Sequence, residues 1–214
     1  MKAGRTALLY QFDRAKTQGN DGRVAGVDES GRGPLAGPVV AAAVILFCKA
    51  PIEGLNDSKQ LTADRRERLF WQIIRSALVG LGVVEEKIID YINIYQASRL
   101  AMKQAVMALS HSPSYLLIDG PIHIDLPIAQ LPIIEGDQKS ASIAAASIVA
   151  KVYRDALMNH YDRLYPGYFF HSHKGYPTLK HRQILSRLGP CPIHRRSFAP
   201  VHLSLDLWNQ ETIH

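Results

Sequence analysis

One stretch of the sequence, residues 23–46, constrains the fold more than any other. Its letters are RVAGVDESGRGPLAGPVVAAAVIL, in which an apolar run lies on either side of two adjacent carboxylates, Asp28 and Glu29, and a glycine turn. Apolar runs bounded by glycine and proline are typical of buried strands. Because successive strand side chains point to opposite faces, at least one of these acids must face a cleft or solvent. Carboxylates beside a glycine turn suit a divalent cation and a phosphorylated ligand.

Composition indicates a globular protein with an anionic partner. The 214 residues suffice for one well-buried domain, and 47% hydrophobic with 21% charged residues excludes a disordered chain. The formal net charge of +6 makes nucleic acid the first candidate partner. Two cysteines, Cys48 and Cys191, form no disulfide framework or metal spacing, which favours a reducing compartment. We find no signal peptide and no apolar run long enough to span a bilayer, so we expect a cytoplasmic protein without membrane contact.

The hydrophobic periodicity predicts an α/β domain, because short apolar strands alternate with helices. The five predicted strands cover residues 24–27, 39–46, 79–83, 115–118 and 133–134, and helices are expected after Thr62, over 97–108, from Ser140 to Leu164 and over 178–188. In the third strand Gly80 and Gly82 alternate with apolar residues and permit close backbone approach. Apolar residues at helical spacing after Ser140 predict a long amphipathic helix.

Acidic residues follow three of the predicted strands. They are the pair Asp28 and Glu29, then Asp119, then Asp137. Sites of α/β sheets gather at strand ends, where converging acids repel one another unless a hard cation neutralises them. Magnesium suits such oxygen ligands, and two ions about 3.5–4 Å apart could activate water and stabilise the leaving oxygen of a phosphodiester. Taken singly, Asp119 and Asp137 are better explained as ordinary turn and loop residues than as metal ligands.

One further acid competes for the place of fourth ligand. Asp155 lies on the long helix, but Lys151 four residues before it favours an ordinary helix ion pair. His171 and His173 could form a metal pair, although their spacing beside Lys174 favours contact with phosphate or solvent. The basic runs 180–182 and 195–196 are typical of solvated charge, or of a grip on the DNA backbone.

Six segments of the chain resemble bacterial ribonuclease HII, the type 2 ribonuclease H family. They cover residues 24 to 198 in the family's order and at compatible spacing, and their letters are VAGVDESGRGPLAGPVVAAAV, LNDSKQL, LLIDG, EGDQKSASIAAASIVAKVYRD, HKGYPT and PIHRRSF. The resemblance implies a ribonuclease H-like fold, a mixed five-stranded sheet flanked by helices. It also implies a single catalytic domain, with an N-terminal arm (1–22), a core (23–165) and a C-terminal helical substrate-binding part (166–214).

The same resemblance implies an endonuclease. Such enzymes cleave the RNA strand of RNA–DNA hybrids and nick duplex DNA 5′ of embedded ribonucleotides, leaving 3′-hydroxyl and 5′-phosphate ends, with Mg²⁺ or Mn²⁺ as cofactor. A cytoplasmic monomer acting in ribonucleotide excision repair is expected. No clamp-binding motif ending in paired aromatics is evident in the tail, LSLDLWNQETIH.

The family's functional residues can be carried onto this sequence position by position. The four acidic metal ligands correspond to Asp28, Glu29, Asp119 and Asp137. The glycine motif that reads the ribose corresponds to Gly31, Arg32 and Gly33, and the tyrosine that packs on the following sugar corresponds to Tyr176. Backbone groups of a glycine turn can reach a 2′-hydroxyl, the group that distinguishes RNA from DNA locally. Lys59 is a candidate phosphate contact, or else a solvated lysine.

One residue departs from the family pattern. Ser30 follows the acidic pair where alanine is usual, and serine there is more like the sister family, ribonuclease HIII. Arg32 and Pro34 fit ribonuclease HII, and the residues before 24 leave no room for the extra N-terminal domain typical of ribonuclease HIII.

Two other functional classes remain open. A nucleic-acid binder without catalysis would not need four acids at strand ends. A nucleotide-binding protein could use GRGPLAG as a phosphate loop, but that segment lacks the usual Gly-Lys-Ser/Thr ending.

Overall fold

A mixed five-stranded sheet forms the centre of the protein. The computed structural model describes residues 2–16, 23–47 and 51–204. The strands are β1 (Val24–Ser30), β2 (Val39–Leu46), β3 (Ala77–Val84), β4 (Tyr115–Asp119) and β5 (Ala129–Ile133), in the order β3-β2-β1-β4-β5. β1, β4 and β5 are parallel, whereas β2 is antiparallel to both of its neighbours. The predicted fold class, with its mixed sheet, is therefore confirmed.

Helices cover both faces of the sheet. They are α1 (Lys2–Lys16), α2 (Ala63–Ser76), α3 (Glu86–Met107), α4 (Ala141–Leu164), α5 (Phe170–His173) and α6 (Leu179–Leu188), with a last helical segment over 199–204. One-turn 3₁₀ helices lie at Ser58–Gln60 and Gly136–Gln138. Within the described ranges no helix combines the length and apolarity that crossing a membrane requires. Cys48 and residues 205–214 of the tail lie outside the described residues.

Glycines let one layer of helix approach the sheet closely. A Cβ atom at Gly80 would lie 2.1 Å from the Ala105 carbonyl oxygen, and one at Gly82 would lie 2.0 Å from that of Ala101. Both contacts are with α3, so the predicted role of these two glycines is confirmed. On the opposite face, a Cβ at Gly26 of β1 would lie 2.1 Å from the Ser142 backbone of α4. The start of α4 is therefore packed directly on the strand that carries Asp28.

The long helix α4 is predicted correctly in its extent but not in its character. All ten residues from Ala141 to Ala150 are buried, so this half is enclosed on every side rather than amphipathic. Alanine and serine dominate it because a helix squeezed between the sheet, α1 and α2 has little room for larger side chains. Ser140 caps it by accepting a hydrogen bond from the Ile143 amide at 3.2 Å.

Two local predictions need correction. β5 spans Ala129–Ile133, and Ile134, expected in that strand, is 67% exposed. The helix expected over 97–108 begins earlier, since α3 spans Glu86–Met107, and Asn93 interrupts it with a φ of 65°. The Asn93 side-chain oxygen accepts hydrogen bonds from the Tyr95 and Gln96 amides at 3.0 and 3.1 Å, as an N-cap does.

Candidate active site

Asp28 and Asp119 lie side by side because their strands are parallel neighbours. β1 and β4 pair in a register that sets Val27 beside Ile118. The acids that follow, Asp28 and Asp119, therefore lie together at the carboxyl-terminal end of these two strands. The predicted convergence of acids at strand ends thus holds for this pair, for the physical reason given by the sheet topology.

A cleft of about 470 Å³ opens at this end of the strands. Eight of the predicted site residues line it, namely Asp28, Glu29, Gly31, Arg32, Gly33, Lys59, Asp119 and Tyr176, together with Ser30, Ser58, Ser147 and Lys151. Asp28 and Glu29 both contribute, although they alternate along β1. Asp137, the remaining predicted residue, is not among the residues that line this cleft.

The acids of the cleft are held in an environment that disfavours their charge. Burial raises the pKa of Asp28 well above its usual value, and the charges of Glu29 and Asp119 raise it further. Burial also raises the pKa of Glu29, against the lowering effect of the Arg32 guanidinium, whose Nη1 lies 3.4 Å from Glu29 Oε1. Crowded, desolvated carboxylates of this kind would be stabilised by a nearby cation.

Hydrogen bonds fix the orientation of Asp28. Its Oδ1 accepts from the Glu29 amide at 2.6 Å, and the Ser147 hydroxyl bonds the same carboxylate. The hydroxyls of Ser147 and Ser58 lie 2.9 Å apart and are buried. Two serines that the sequence analysis did not single out thus connect Asp28 to α4 and to the Asp57–Lys59 segment.

Asp137 reaches the same acidic region from a different direction. It lies on the one-turn helix Gly136–Gln138, and the Gly136 amide donates a 2.7 Å hydrogen bond to Asp119 Oδ1. A Cβ at Gly136 would lie 2.6 Å from Ile143 Cδ1 and 3.2 Å from Asp119 Oδ1, so this close approach needs glycine. The loop that carries Asp137 is therefore attached to the strand end that carries Asp119.

Asp57 is a fifth acid in this region that the sequence analysis missed, and its charge acts on Asp137. Burial raises the pKa of Asp137 to about 6, and the charges of Asp57 and Asp119 act in the same direction. Lys59 lies among these groups. Burial lowers its pKa, but the carboxylates of Asp57, Asp137, Asp28 and Asp119 outweigh that effect and raise it overall. Asp57 escaped notice because its segment, Gly54–Lys59, has the composition of an ordinary polar connection.

The turn that follows the acids can be built only with glycine at its start. Gly31 has a φ of 101°, and a Cβ there would lie 2.1 Å from Arg154 Nε. Gly33 faces Tyr176, whose ring carbon Cε1 would be 3.9 Å from a Cβ at that position. The turn and the tyrosine thus lie next to each other in the lining of the cleft.

Two buried arginines hold this turn from behind. Arg195 donates to the carbonyls of Gly31, Arg32, Pro34 and Gly37 at 2.6–3.0 Å. Arg195 has no exposed surface, so the expectation of solvated charge at this position was wrong. Because a guanidinium presents donors in a planar fork, it can bind several main-chain carbonyls at once.

The second arginine, Arg154 of α4, joins the turn to the segment before Tyr176. It donates to the carbonyls of Ala36, Pro38 and Lys174 at 3.0–3.1 Å and is also fully buried. Burial lowers the pKa of Arg154 to about 10 and that of Arg195 to about 9. Arg154 was given no role and Arg195 was expected to be solvated, since the sequence does not distinguish a buried arginine from a solvated one.

Tyr176 is half-exposed, and its backbone is tightly held. Its amide donates to the His173 carbonyl at 2.8 Å, and its carbonyl accepts from the Thr178 amide at 2.8 Å and from His181 Nδ1 at 2.9 Å. Lys151 Nζ lies 5.8 Å from the ring centroid and also pairs with Asp155 at 2.8 Å, as the predicted helix ion pair requires.

A chain of buried histidines supports the same segment. His181 Nε2 and His194 Nε2 lie 3.1 Å apart, and His194 Nδ1 accepts from the Cys191 amide at 3.0 Å. His173, expected at phosphate or solvent, is instead buried and bonded to the Tyr168 carbonyl at 2.9 Å, while His171 pairs with Asp162 at 2.8 Å. The basic run around His181 is likewise not solvated at its centre.

The donor set of the cleft fits a hard divalent cation. The acids offer oxygen ligands, and Glu29 Oε2 is buried without a hydrogen-bond partner in the structure. Across residues 2–16, 23–47 and 51–204, no three His, Cys, Asp or Glu side chains are placed so that together they could hold a metal ion. A bound ion would therefore have to draw the carboxylates inward, which would also relieve their mutual repulsion.

Comparison with known proteins gives one consistent result. The family model described as Ribonuclease HII matches residues 25–201. Ribonuclease HII of Enterococcus faecalis is 53% identical over 194 residues, which cover 90% of this chain and 76% of that protein. The ribonuclease H2 structure from Pyrococcus horikoshii has a TM-score of 0.74 at 26% identity, covering 87% and 98% of the two chains. Bst-RNase HIII in complex with Mn²⁺ shares the fold, with a TM-score of 0.64 at 17% identity, covering 86% and 69%.

Proposed function

The chain belongs to the ribonuclease HII family, and from this premise we propose that the acid-lined cleft is where it hydrolyses the RNA strand of RNA–DNA hybrids and nicks duplex DNA 5′ of embedded ribonucleotides. The observation that carries the proposal is that Asp28, Glu29 and Asp119 line one cleft together with the Gly31–Gly33 turn and Tyr176. The match to ribonuclease HII over residues 25–201 supports that family rather than ribonuclease HIII, although Ser30 departs from its usual pattern.

In this proposal Asp28, Glu29, Asp119 and Asp137 hold divalent metal, Mg²⁺ or Mn²⁺. A bound ion in such a site would supply charge stabilisation and a more acidic water. The protein's own contribution is to keep the acids desolvated and oriented. Ser147 and the Glu29 amide orient Asp28, and the Gly136 amide orients Asp119.

Substrate selection would rest on the Gly31–Gly33 turn and on Tyr176. The backbone of the Gly31–Gly33 turn is free of bulky side chains at its glycines and can approach a ribose 2′-hydroxyl. Tyr176, 38% exposed, offers its ring to the sugar that follows the ribonucleotide. A deoxyribose fits beneath a ring that a 2′-hydroxyl would displace, which is selection by shape.

Phosphate binding would fall to cations at the rim. Lys59 lines the cleft beside the acids, so it is suited to a phosphate next to the scissile bond. The net charge of +6 favours binding to the polyanionic duplex in general.

We further propose that residues 166–204, which include Tyr176, form the substrate-binding part of a single catalytic domain. We also propose that the protein acts as a cytoplasmic monomer in ribonucleotide excision repair.

A nicking assay tests the proposal directly. The substrate is a labelled DNA duplex with a single embedded ribonucleotide, and the control is the same duplex with a deoxyribonucleotide at that position. We expect a Mg²⁺- or Mn²⁺-dependent cut 5′ of the ribonucleotide in the first duplex alone, leaving a 3′-hydroxyl. Absence of cleavage by folded protein across a titration of both metals, on this duplex and on a hybrid, would overturn the proposal.

A further inference from the structure

The amino-terminal helix α1 lies outside the residues that match the family model, yet it contacts two segments that carry site residues. Thr6, Tyr10 and Asp13 are spaced four and three residues apart, which places them on one face of the helix. Each accepts a hydrogen bond from a backbone amide elsewhere in the chain. The helix is thus bound to the main chain of its neighbours as well as to their side chains.

The first of these contacts is with the connection that leads to Asp57 and Lys59. Tyr10 OH accepts from the Ile52 amide at 2.9 Å, and Thr6 Oγ1 accepts from the Gly54 amide at 3.1 Å. Both side chains are buried. They therefore fix the beginning of this connection, and Gly54 lies three residues before Asp57.

The far end of the same connection is fixed by the rest of the protein. Ser58 meets Ser147 of α4, and its carbonyl accepts from Arg66 Nε at 2.8 Å. Leu55, between the two ends, is buried against α1 and α4. Because the segment is short, a shift at its start would be transmitted to Asp57 and Lys59.

The second contact is with the start of α4. Asp13 Oδ2 accepts from the Ser142 amide at 2.8 Å, which satisfies one of the free amides of the first turn. The Ser140 amide in turn donates to the Gly136 carbonyl at 2.8 Å. The first turn of α4 and the loop with Asp137 are thus connected, and Asp13 holds one end of that unit.

The charge of Asp13 suits this position. Burial raises its pKa to about 6, against hydrogen bonds from Ser140 and Ser142 that lower it. Above that pH it is an anion at the amino-terminal end of a 24-residue helix, where the helix dipole favours negative charge.

We propose that α1 is a positioning element of the nuclease site, in which Thr6 and Tyr10 set the Asp57–Lys59 segment and Asp13 sets the loop that carries Asp137. The inference rests on the proposed function. None of the three residues lines the cleft, so each acts through the backbone that it holds.

The test compares Tyr10→Phe, Asp13→Ala and Asp13→Asn with Gln11→Ala, a change at an exposed position of the same helix. Mn²⁺ binding is measured by calorimetry, and backbone order at 55–60 and 136–143 by hydrogen exchange. We expect Asp13→Ala to weaken Mn²⁺ binding about fivefold, the effect of losing one helix cap. Asp13→Asn should restore it, because the amide oxygen accepts the same hydrogen bond.

Tyr10→Phe keeps the ring and removes the hydroxyl that accepts from the Ile52 amide. We expect faster exchange at 55–60 and a higher KM for a hybrid substrate, with Mn²⁺ binding unchanged. If Asp13→Ala does not fold, Tyr10→Phe decides the matter. Variants that melt earlier but match Gln11→Ala in Mn²⁺ binding, local exchange and KM would overturn the inference, since α1 would then be a structural support only. A wild-type protein that binds Mn²⁺ and does not cut would instead overturn the proposed function. In that case Mn²⁺ binding and hydrogen exchange of the variants would still test the positioning role of α1.

Discussion

Arg195 Nη2 donates a 2.6 Å hydrogen bond to the Gly31 carbonyl across 164 residues of chain. A site that the sequence presents as a local motif is therefore completed by a residue near the other end of the protein. We expect Arg195→Lys to lower the free energy of unfolding by about 3 kcal/mol and to reduce kcat. The reason is that one ammonium group cannot bind the separated carbonyls that the guanidinium binds. Thermal melts and hybrid cleavage measure both effects. Arg196→Lys, at the exposed neighbouring position, is the control and should leave both unchanged.

The acids at the strand ends should be required for cutting but not for holding the duplex. We expect Asp28→Asn or Asp119→Asn to reduce cleavage by about a thousandfold or more, through lost metal ligation. Duplex affinity at fixed salt should persist, since it depends mainly on lysine and arginine contacts to phosphate. Near-normal nicking by either folded variant at saturating Mg²⁺ would show that the site is misassigned.

Asp137 should tolerate substitution better than Asp28. It lies on a loop that is joined to Asp119 by a hydrogen bond from the Gly136 amide, and water can replace a ligand on such a loop. We expect Asp137→Asn to retain more activity than Asp28→Asn, and more in Mn²⁺ than in Mg²⁺. Titrations of both metals with both variants provide the comparison, and equal losses throughout would count against the distinction.

Tyr176 should matter more at an RNA-to-DNA junction than within a run of RNA. We expect Tyr176→Ala to reduce kcat/KM about ten- to a hundredfold on a single embedded ribonucleotide, as loss of an aromatic contact does, and less on a continuous hybrid. Tyr176→Phe keeps the ring and should stay close to wild type on both substrates. If alanine lowers both rates by the same factor, Tyr176 is a packing residue or a uniform contact.

The buried histidines should make the protein sensitive to acid. Burial lowers the pKa of His181 to about 4 and that of His194 to about 3, so the unfolded chain binds more protons below about pH 6.5. Their contribution to stability is present above pH 6.5 and is lost as the pH falls toward those values, by about 3 kcal/mol for His194 between pH 7 and 4.5.

The raised pKa values of Asp13 and Asp137 act in the opposite sense over the same range. The measurement is therefore a difference, the unfolding free energy of wild type minus that of His194→Gln, followed by denaturant titration from pH 7 to 4.5. This difference in unfolding free energy should become smaller as the pH falls. A constant difference would mean that His194 does not titrate between the folded and unfolded states.

What the sequence predicted well was governed by short-range pattern. The strands around Asp28 and Asp119 are apolar runs, and their acids meet because parallel neighbours end at one edge. Roles that depend on burial were missed. Arg195 and His181 are polar residues in basic runs, and only the packing of the C-terminal part shows that both are enclosed. Asp57 was missed for a related reason, since its proximity to Asp137 arises from the fold.

The dependence of the Gly31 turn on Arg195 has a consequence for biosynthesis. Translation produces the turn early and its guanidinium support late, so a nascent chain can form β1 and β4 and still lack an ordered turn. The order of synthesis delays completion of the proposed ribose-reading surface until residue 195 has left the ribosome, and a ribosome-stalled chain that ends before that residue should carry its acids and remain inert.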